Sequence, residues 1–236
     1  MKALFITIAI LYISTNLSVQ AAGPDFLALI DKSLYVEYAG IRMEIYKNNK
    51  LIKYYGIEFY RKEAKMRMEF VEPAVEKGRR ILNDESNMWM YMPRTSKVIK
   101  LPLRQAFMGS DASNRDLMRI EFAKDYDLVA GEQPDGAILQ LELKAKSLSV
   151  SYNKVVVFFD PKRNIPLGQK MFSLSGKLIK TIEYIYKEQP DNTLYMSEMI
   201  IKDELMNNSF TKMYYENCKR RQNKPDVFFT LGSLKQ

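Results

Sequence analysis

Hydrophobic and polar residues alternate along most of this chain, which is the pattern of β-strands with one buried face. In residues 65–70, the alternation places Met66, Met68 and Phe70 on one face and charged side chains on the other. The same period of two recurs elsewhere along the chain. The further segments are residues 41–45, 139–143 and 180–184. The chain is therefore predicted to be mainly β.

Two more segments, residues 88–92 and 155–159, are apolar on both faces. Such runs are typical of strands that are covered on both sides. Short turn signals, among them residues 47–50 and 175–177, separate the strands. We expect about ten strands joined mostly by short hairpin loops, which favours a single antiparallel meander. No linker rich in proline, serine or glycine interrupts it, so one domain is predicted.

Two segments interrupt the strand pattern and predict amphipathic helices. One spans residues 24–34 and has a proline in its first turn. The second begins at Ser113, which Asp116 follows three residues later, as in a capping box. We expect residues 24–34 and 107–117 to cover one mouth of a curved sheet. The side chains expected to face inward are Phe26, Ile30 and Phe107.

Residues 1–21 have the features of a secretory signal peptide. A lysine follows the initial methionine, residues 3–13 are apolar apart from one threonine, and Val19-Gln20-Ala21 forms a small-x-small pattern. The apolar run is shorter than a membrane-spanning helix requires. We therefore expect cleavage after Ala21 and a single mature domain, residues 22–236, in an exported protein.

The composition argues against most classes of catalytic site. The chain has no histidine and one cysteine, Cys218, which excludes histidine-dependent nucleophiles, histidine-ligated zinc and an intramolecular disulfide. The pairs Asp111 with Asp116 and Asp125 with Asp127 have the residue type that glycoside hydrolysis uses. A loop or cap role suits the first pair better, and solvated strand ends suit the second. We expect no catalytic residue, no metal and no cofactor.

The net charge of +8 is spread along the chain. No nucleic-acid-binding signature accompanies it, and we expect no nucleic acid partner. Two interpretations of the charge stay open: a weak attraction to anionic lipid headgroups, and a surface that keeps the protein in solution.

Four short motifs follow one another along the chain: Phe70-Val71-Glu72-Pro73, Lys77-Gly78-Arg79, Trp89-Met90-Tyr91-Met92-Pro93 and Phe107-Met108-Gly109-Ser110-Asp111. In this order they resemble the bacterial outer-membrane lipoprotein-sorting proteins of the LolA-like superfamily. The similarity continues through residues 164–167, 177–181 and 229–230, so that it covers nearly all of the mature chain. The sequence departs from the family after the Gly-Ser-Asp of the fourth motif, where Ala112, Asn114 and Arg115 replace aromatic and acidic residues.

The resemblance implies an unclosed antiparallel β-barrel, a half-barrel, with a helical lid over an apolar cavity. In this family the cavity holds the acyl chains of lipoproteins. Bringing one chain of about fifteen methylenes into water costs about 12 kcal/mol, at ~0.8 kcal/mol per CH₂. The 14 methionines of the chain suit an adaptable lining, although methionine in alternating strands is more often ordinary core.

Residues on the apolar faces are predicted to line this cavity. The alternation does not define which face of residues 88–92 points inward. The predicted lipid-binding residues are Phe26, Ile30, Met43, Met66, Met68, Phe70, Trp89, Tyr91, Phe107, Leu117, Val157, Phe159 and Tyr184.

No cysteine lies at the predicted cleavage site, so the chain resembles the soluble shuttle of the family rather than its lipid-anchored acceptor. The resemblance implies a monomer in the periplasm of a diderm bacterium. Its partners would be lipoprotein or lipid acyl chains, an inner-membrane transporter, either an ABC-type exporter or an RND-type permease, and an outer-membrane acceptor. Two alternatives remain: a carrier of free hopanoid or polyisoprenoid lipids that works with an RND-type permease, and a non-catalytic envelope scaffold.

Overall fold

The computed structural model describes residues 23–117, 121–133, 138–188 and 193–235. The predicted signal peptide lies outside these residues. Within them, no helix is both long and apolar enough to cross a membrane.

The described residues form one 13-stranded antiparallel sheet and a few short helices. The prediction of a mainly β chain is confirmed, whereas the expected number of strands, about ten, was too low. The three α-helices are α1 (Gly23–Ser33), α2 (Asn114–Leu117) and α3 (Phe122–Asp125). The strands are β1 (Tyr38–Lys47), β2 (Lys50–Lys62), β3 (Lys65–Glu72), β4 (Arg80–Asn83), β5 (Met88–Met92), β6 (Lys97–Leu101), β7 (Tyr126–Glu132), β8 (Leu139–Ala145), β9 (Lys154–Asp160), β10 (Ile165–Phe172), β11 (Leu178–Glu188), β12 (Leu194–Asp203) and β13 (Ser209–Lys219).

The sheet is a meander that does not close into a barrel. Its order is β6-β5-β4-β3-β2-β1-β13-β12-β11-β10-β9-β8-β7, so that β1 pairs with β13 at the centre while β6 and β7 are the two edges. The connection between these edges is the crossover segment, defined here as residues 102–117 and 121–125. It carries α2 and α3. Together, α1 and the crossover segment form the lid.

The two faces of the sheet have different coverings. The face that packs against the lid is called the inner face, and it carries the main hydrophobic core, in which Ile30, Phe107 and Phe122 of the lid are buried. The opposite, outer face is covered near β3 to β5 by two 3₁₀ helices, Asp226–Phe229 and Leu231–Lys235.

An arginine holds the C-terminal segment on the outer face. Arg67 of β3 is buried, donates a hydrogen bond to the Phe228 carbonyl at 3.0 Å and to the Ser233 hydroxyl at 3.1 Å, and lies 4.1 Å above the Phe228 ring. Burial lowers the pKa of Arg67, and Glu69, at 2.7 Å, partly offsets that cost. The outer face of β3 is therefore a structural contact.

The segments that are apolar on both faces differ in their coverings. In β5, Met88 and Met90 are buried on the inner face, and the other side of the strand packs under the C-terminal segment, as expected for a strand covered twice. In β9, Val156 and Phe158 are only half-buried, and Lys170 lies 5.4 Å above the Phe158 ring. An amphipathic lysine therefore provides part of the cover that a second layer was expected to supply.

Candidate functional site

A cavity of about 120 Å³ lies between the inner face and the lid. Apolar side chains make up most of its wall. These are Leu34, Val36, Ile41, Phe59, Met68, Leu117, Phe122, Ile182, Met196, Met199, Ile201 and Met213. The polar lining residues are Asp31, Arg61, Asp116, Gln169, Tyr184 and Tyr215.

A row of methionines crosses the floor of the cavity region. The strand register places Met199 of β12 opposite Met213 of β13, which in turn lies opposite Met43 of β1. Tyr184 of β11 and Tyr55 of β2 continue the row at its two ends. Three adjacent strands thus contribute flexible, polarizable thioether side chains, which repack more readily than branched ones.

Three of the predicted cavity residues line this space: Met68, Leu117 and Tyr184. Eight others lie in the surrounding core without lining the cavity; Phe26, for example, packs edge-to-face against Phe159 with 4.9 Å between ring centroids. The eight are Phe26, Ile30, Met43, Met66, Phe70, Phe107, Val157 and Phe159.

The placement of Trp89 and Tyr91 in the cavity was wrong. Successive side chains of a strand point to opposite faces, and Met88 and Met90 occupy the inner face of β5. Trp89 and Tyr91 therefore point outward, where they pack in the second hydrophobic cluster beneath the C-terminal helices. The Trp89 indole donates a hydrogen bond to Asp84 at 2.7 Å, which fixes this orientation.

This placement predicts that the intrinsic fluorescence is insensitive to lipid. Trp89 is the only tryptophan of the chain, so the emission maximum is expected to stay unchanged when a fatty acid is titrated in. A Phe59→Trp/Trp89→Phe variant, whose tryptophan lines the cavity, is the positive control and should shift to the blue. A lipid-dependent blue shift in the wild type would show that Trp89 lines the cavity after all.

The sequence pattern missed the methionines of β12. Met196 and Met199 both line the cavity although they are three residues apart, which alternation does not allow in a regular strand. A register shift between β11 and β12 explains this, since Glu198 pairs with Ile185 while Met196 pairs with Tyr186. Bulges of this kind leave no signal in hydrophobic periodicity.

Buried carboxylates attach the lid to the sheet and to itself. Asp31 of α1 accepts hydrogen bonds from the backbone N–H groups of Phe122, at 3.0 Å, and Ala123, at 3.3 Å, and so caps α3. Asp111 accepts from the Thr211 hydroxyl at 2.7 Å and from Lys47 at 3.1 Å.

Asp116 forms a third attachment of this kind, and its side chain is 1% exposed. The predicted capping box is present, because Ser113 N–H donates to the Asp116 carboxylate at 2.7 Å and Asp116 N–H donates to the Ser113 hydroxyl at 3.2 Å. The carboxylate also accepts from the Tyr152 hydroxyl at 2.9 Å and forms an ion pair with Lys180 of β11. Burial, with Asp116 nearby, raises the pKa of Tyr152 and keeps its hydroxyl a donor.

The candidate catalytic groups therefore have structural partners. Asp111 and Asp116 are held by the donors described above, and Asp127 is mostly exposed, 3.8 Å from Lys146. Cys218 is half-buried, and burial raises the pKa of its thiol, which disfavours the nucleophilic thiolate. Within the described ranges, no three histidine, cysteine, aspartate or glutamate side chains come together as metal ligands would.

Comparisons with solved structures find the same architecture in bacterial proteins. A protein from Vibrio parahaemolyticus, described as an outer membrane lipoprotein-sorting protein domain, is 21% identical, with a TM-score of 0.76 over 92% of this chain and 99% of that one. A DUF1329 family protein from Desulfovibrio piger is 21% identical, with a TM-score of 0.77 over 92% and 98%. A LolA superfamily protein from Nitrosomonas europaea is 25% identical, with a TM-score of 0.73 over 88% and 97%.

Sequence comparisons add a family but no curated relative. No curated protein sequence matches the chain. A family model with the description "Uncharacterized protein" matches residues 62–236, which is most of the chain. The half-barrel fold and the LolA-like resemblance inferred from the ordered motifs are both confirmed. The chain belongs to the family of that model, and its fold is that of the LolA superfamily.

Proposed function

We propose that this protein is a soluble periplasmic carrier that shields the acyl chains of lipoproteins between the inner and the outer membrane. The observation that carries the proposal is the apolar, methionine-lined cavity beneath a lid. The Vibrio relative, described as a lipoprotein-sorting domain, supports the choice of lipoproteins as cargo. The role is transport rather than catalysis.

The lining fits the energetic task of a carrier. A carrier has to offset most of the ~12 kcal/mol that exposing one acyl chain of about fifteen methylenes costs, and still release it. Met68, Met196, Met199 and Met213 can change rotamer around a chain without leaving a void. A rigid lining of branched side chains would hold one ligand shape more tightly and adapt less to another.

The cavity has to enlarge before an acyl chain can enter. Its volume of about 120 Å³ is close to that of an engineered cavity of about 150 Å³ that accommodates benzene. The sheet is open between β6 and β7, and the crossover segment spans that opening. Movement of the lid away from the inner face is therefore the step that admits cargo.

The compartment and the partners follow from the same proposal. Residues 1–21 direct export and are removed, leaving a mature protein from Ala22. The carrier takes cargo from an inner-membrane transporter, an ABC-type exporter or an RND-type permease, and delivers it to an outer-membrane acceptor as a monomer.

Native mass spectrometry of the protein purified from its own periplasm tests the proposal. We expect a fraction of the protein to carry an added mass of several kilodaltons or more, corresponding to a lipoprotein, which is lost after mild detergent treatment. An added mass of a single small lipid would instead support the free-lipid carrier. Protein without any bound species, from cells in which lipoprotein traffic is active, would favour the scaffold and contradict the carrier.

A further inference from the structure

The cavity contains two polar side chains that the fold itself does not use. Gln169 of β10 is only 3% exposed and lines the cavity, and its carboxamide has no hydrogen-bond partner among the described residues. Tyr184 of β11, 8% exposed, also lines the cavity, and its hydroxyl likewise has no partner in the described part of the chain.

The sheet brings these two groups together. Gln169 pairs directly with Ile182, and Tyr184 follows Ile182 by two residues on the same face. The two are therefore diagonal neighbours, whose Cα atoms lie about 7–8 Å apart in a regular antiparallel pair. Gly168 allows β10 to approach β11 closely here, because a Cβ atom at this position would lie 2.5 Å from the Ile182 carbonyl oxygen.

Two polar side chains in an otherwise mostly apolar wall call for an explanation. Most buried side-chain polar atoms in proteins have a hydrogen-bond partner. The polar atoms of Gln169 and Tyr184 are not among the fully enclosed partnerless atoms of the described residues, which include the hydroxyl of Tyr186 in the surrounding core. They face the cavity instead, where a ligand or water can meet them. A few polar groups together on one wall of an apolar cavity are typical of a ligand site.

We propose that Gln169 and Tyr184 donate hydrogen bonds to an acyl carbonyl oxygen, of an ester or amide, in the lipid that the cavity holds. The inference rests on the proposed carrier function and adds a ligand class to it. A carbonyl is an acceptor that two converging donors can share. Burial raises the pKa of Tyr184, so its hydroxyl keeps the proton that it donates.

The other polar groups of the wall include charges of both signs. Asp116 is paired with Lys180, Asp31 caps α3, and the Arg61 guanidinium lies 5.2 Å from the centre of the Phe59 ring. Carboxylates and a guanidinium both border the space, so the charges of the wall select neither an anion nor a cation. An ester or amide carbonyl brings no charge and satisfies the donors.

Two short-chain lipids of equal length separate the contribution that the carbonyls make to binding from that of the hydrocarbon chains. Dioctanoylglycerol and its diether analogue, dioctylglycerol, differ in the two carbonyls. Each is titrated against the wild type carrying a fluorescent fatty acid, and displacement gives the Kd. We expect the diester to bind about tenfold more tightly, the effect of roughly one net buried hydrogen bond.

Matched variants assign that preference to the two residues. The Gln169→Leu/Tyr184→Phe variant should bind both lipids with nearly equal affinity, and each single variant should lose part of the preference. The control Met199→Leu, also in the cavity wall, should keep the tenfold preference. Circular dichroism verifies that each variant is folded.

The outcomes distinguish this inference from the function on which it rests. Equal wild-type affinity for diester and diether would overturn the carbonyl assignment and leave the lipid carrier standing. A double variant that keeps the full preference would overturn the roles of Gln169 and Tyr184. Failure of the wild type to bind the fluorescent fatty acid and both lipids would contradict the carrier function itself.

Discussion

Replacing Lys180 with methionine is expected to lower the free energy of unfolding by about 3–5 kcal/mol, as removal of one partner of a buried ion pair does. The side chain of Lys180 is 6% exposed and that of its partner Asp116 is 1% exposed. The substitution leaves the carboxylate inside the protein with the Tyr152 hydroxyl and the Ser113 N–H as its hydrogen-bond donors. Urea denaturation followed by circular dichroism measures the change.

Two control variants separate the ion pair from the loss of a lysine. Adding Asp116→Asn to Lys180→Met should recover most of the stability, because the uncompensated charge is gone while the amide oxygen still accepts a hydrogen bond. Lys177→Met, at an exposed position before the same strand, should change stability by less than about 0.5 kcal/mol. A loss of under about 1 kcal/mol in Lys180→Met would contradict the structural role of the pair.

Lys180 also illustrates how far the sequence could predict the site. The alternation in residues 180–184 places Lys180, Ile182 and Tyr184 on one face, and this face is the inner one. A lysine on an apolar face requires a partner, yet the sequence offers no way to choose among the 28 acidic residues. The partner, Asp116, comes from a helix that the crossover between the two sheet edges brings to β11. That juxtaposition is a property of the tertiary fold.

The fold was more predictable than the cavity because the two depend on different signals. Alternation within β3 correctly placed Met66, Met68 and Phe70 in the main core. Short strands such as β4, with four residues, and the exposed edge strand β6 give almost no periodic signal. The expected number of strands was therefore too low, although the class and the open sheet were correct.

The error at Trp89 has a different cause. Alternation determines that Trp89 and Met90 point to opposite faces, but the choice between the faces depends on what packs against each one. The outer face of β5 is covered by residues more than 130 positions later in the chain, Phe228 to Leu234. The apolar residues of that C-terminal segment indicate that it packs against some part of the sheet. The sequence does not indicate which strand they cover, so they could not determine the orientation of Trp89.

Replacing Met68 with arginine is expected to abolish acyl-chain binding, with Kd rising at least about a hundredfold, which corresponds to about 2.7 kcal/mol. Met68 is buried and lines the cavity, so the guanidinium would lie among the acyl chains or extend to the cavity mouth across their path. Met206→Arg, at an exposed hairpin position, adds the same charge and should bind as the wild type does. Displacement of a fluorescent fatty acid measures binding, and circular dichroism of the same samples reports folding. If Met68→Arg does not fold, the closely sized Met68→Gln provides the same test with a smaller expected loss. A folded Met68→Arg protein with wild-type affinity would show that acyl chains do not contact this wall.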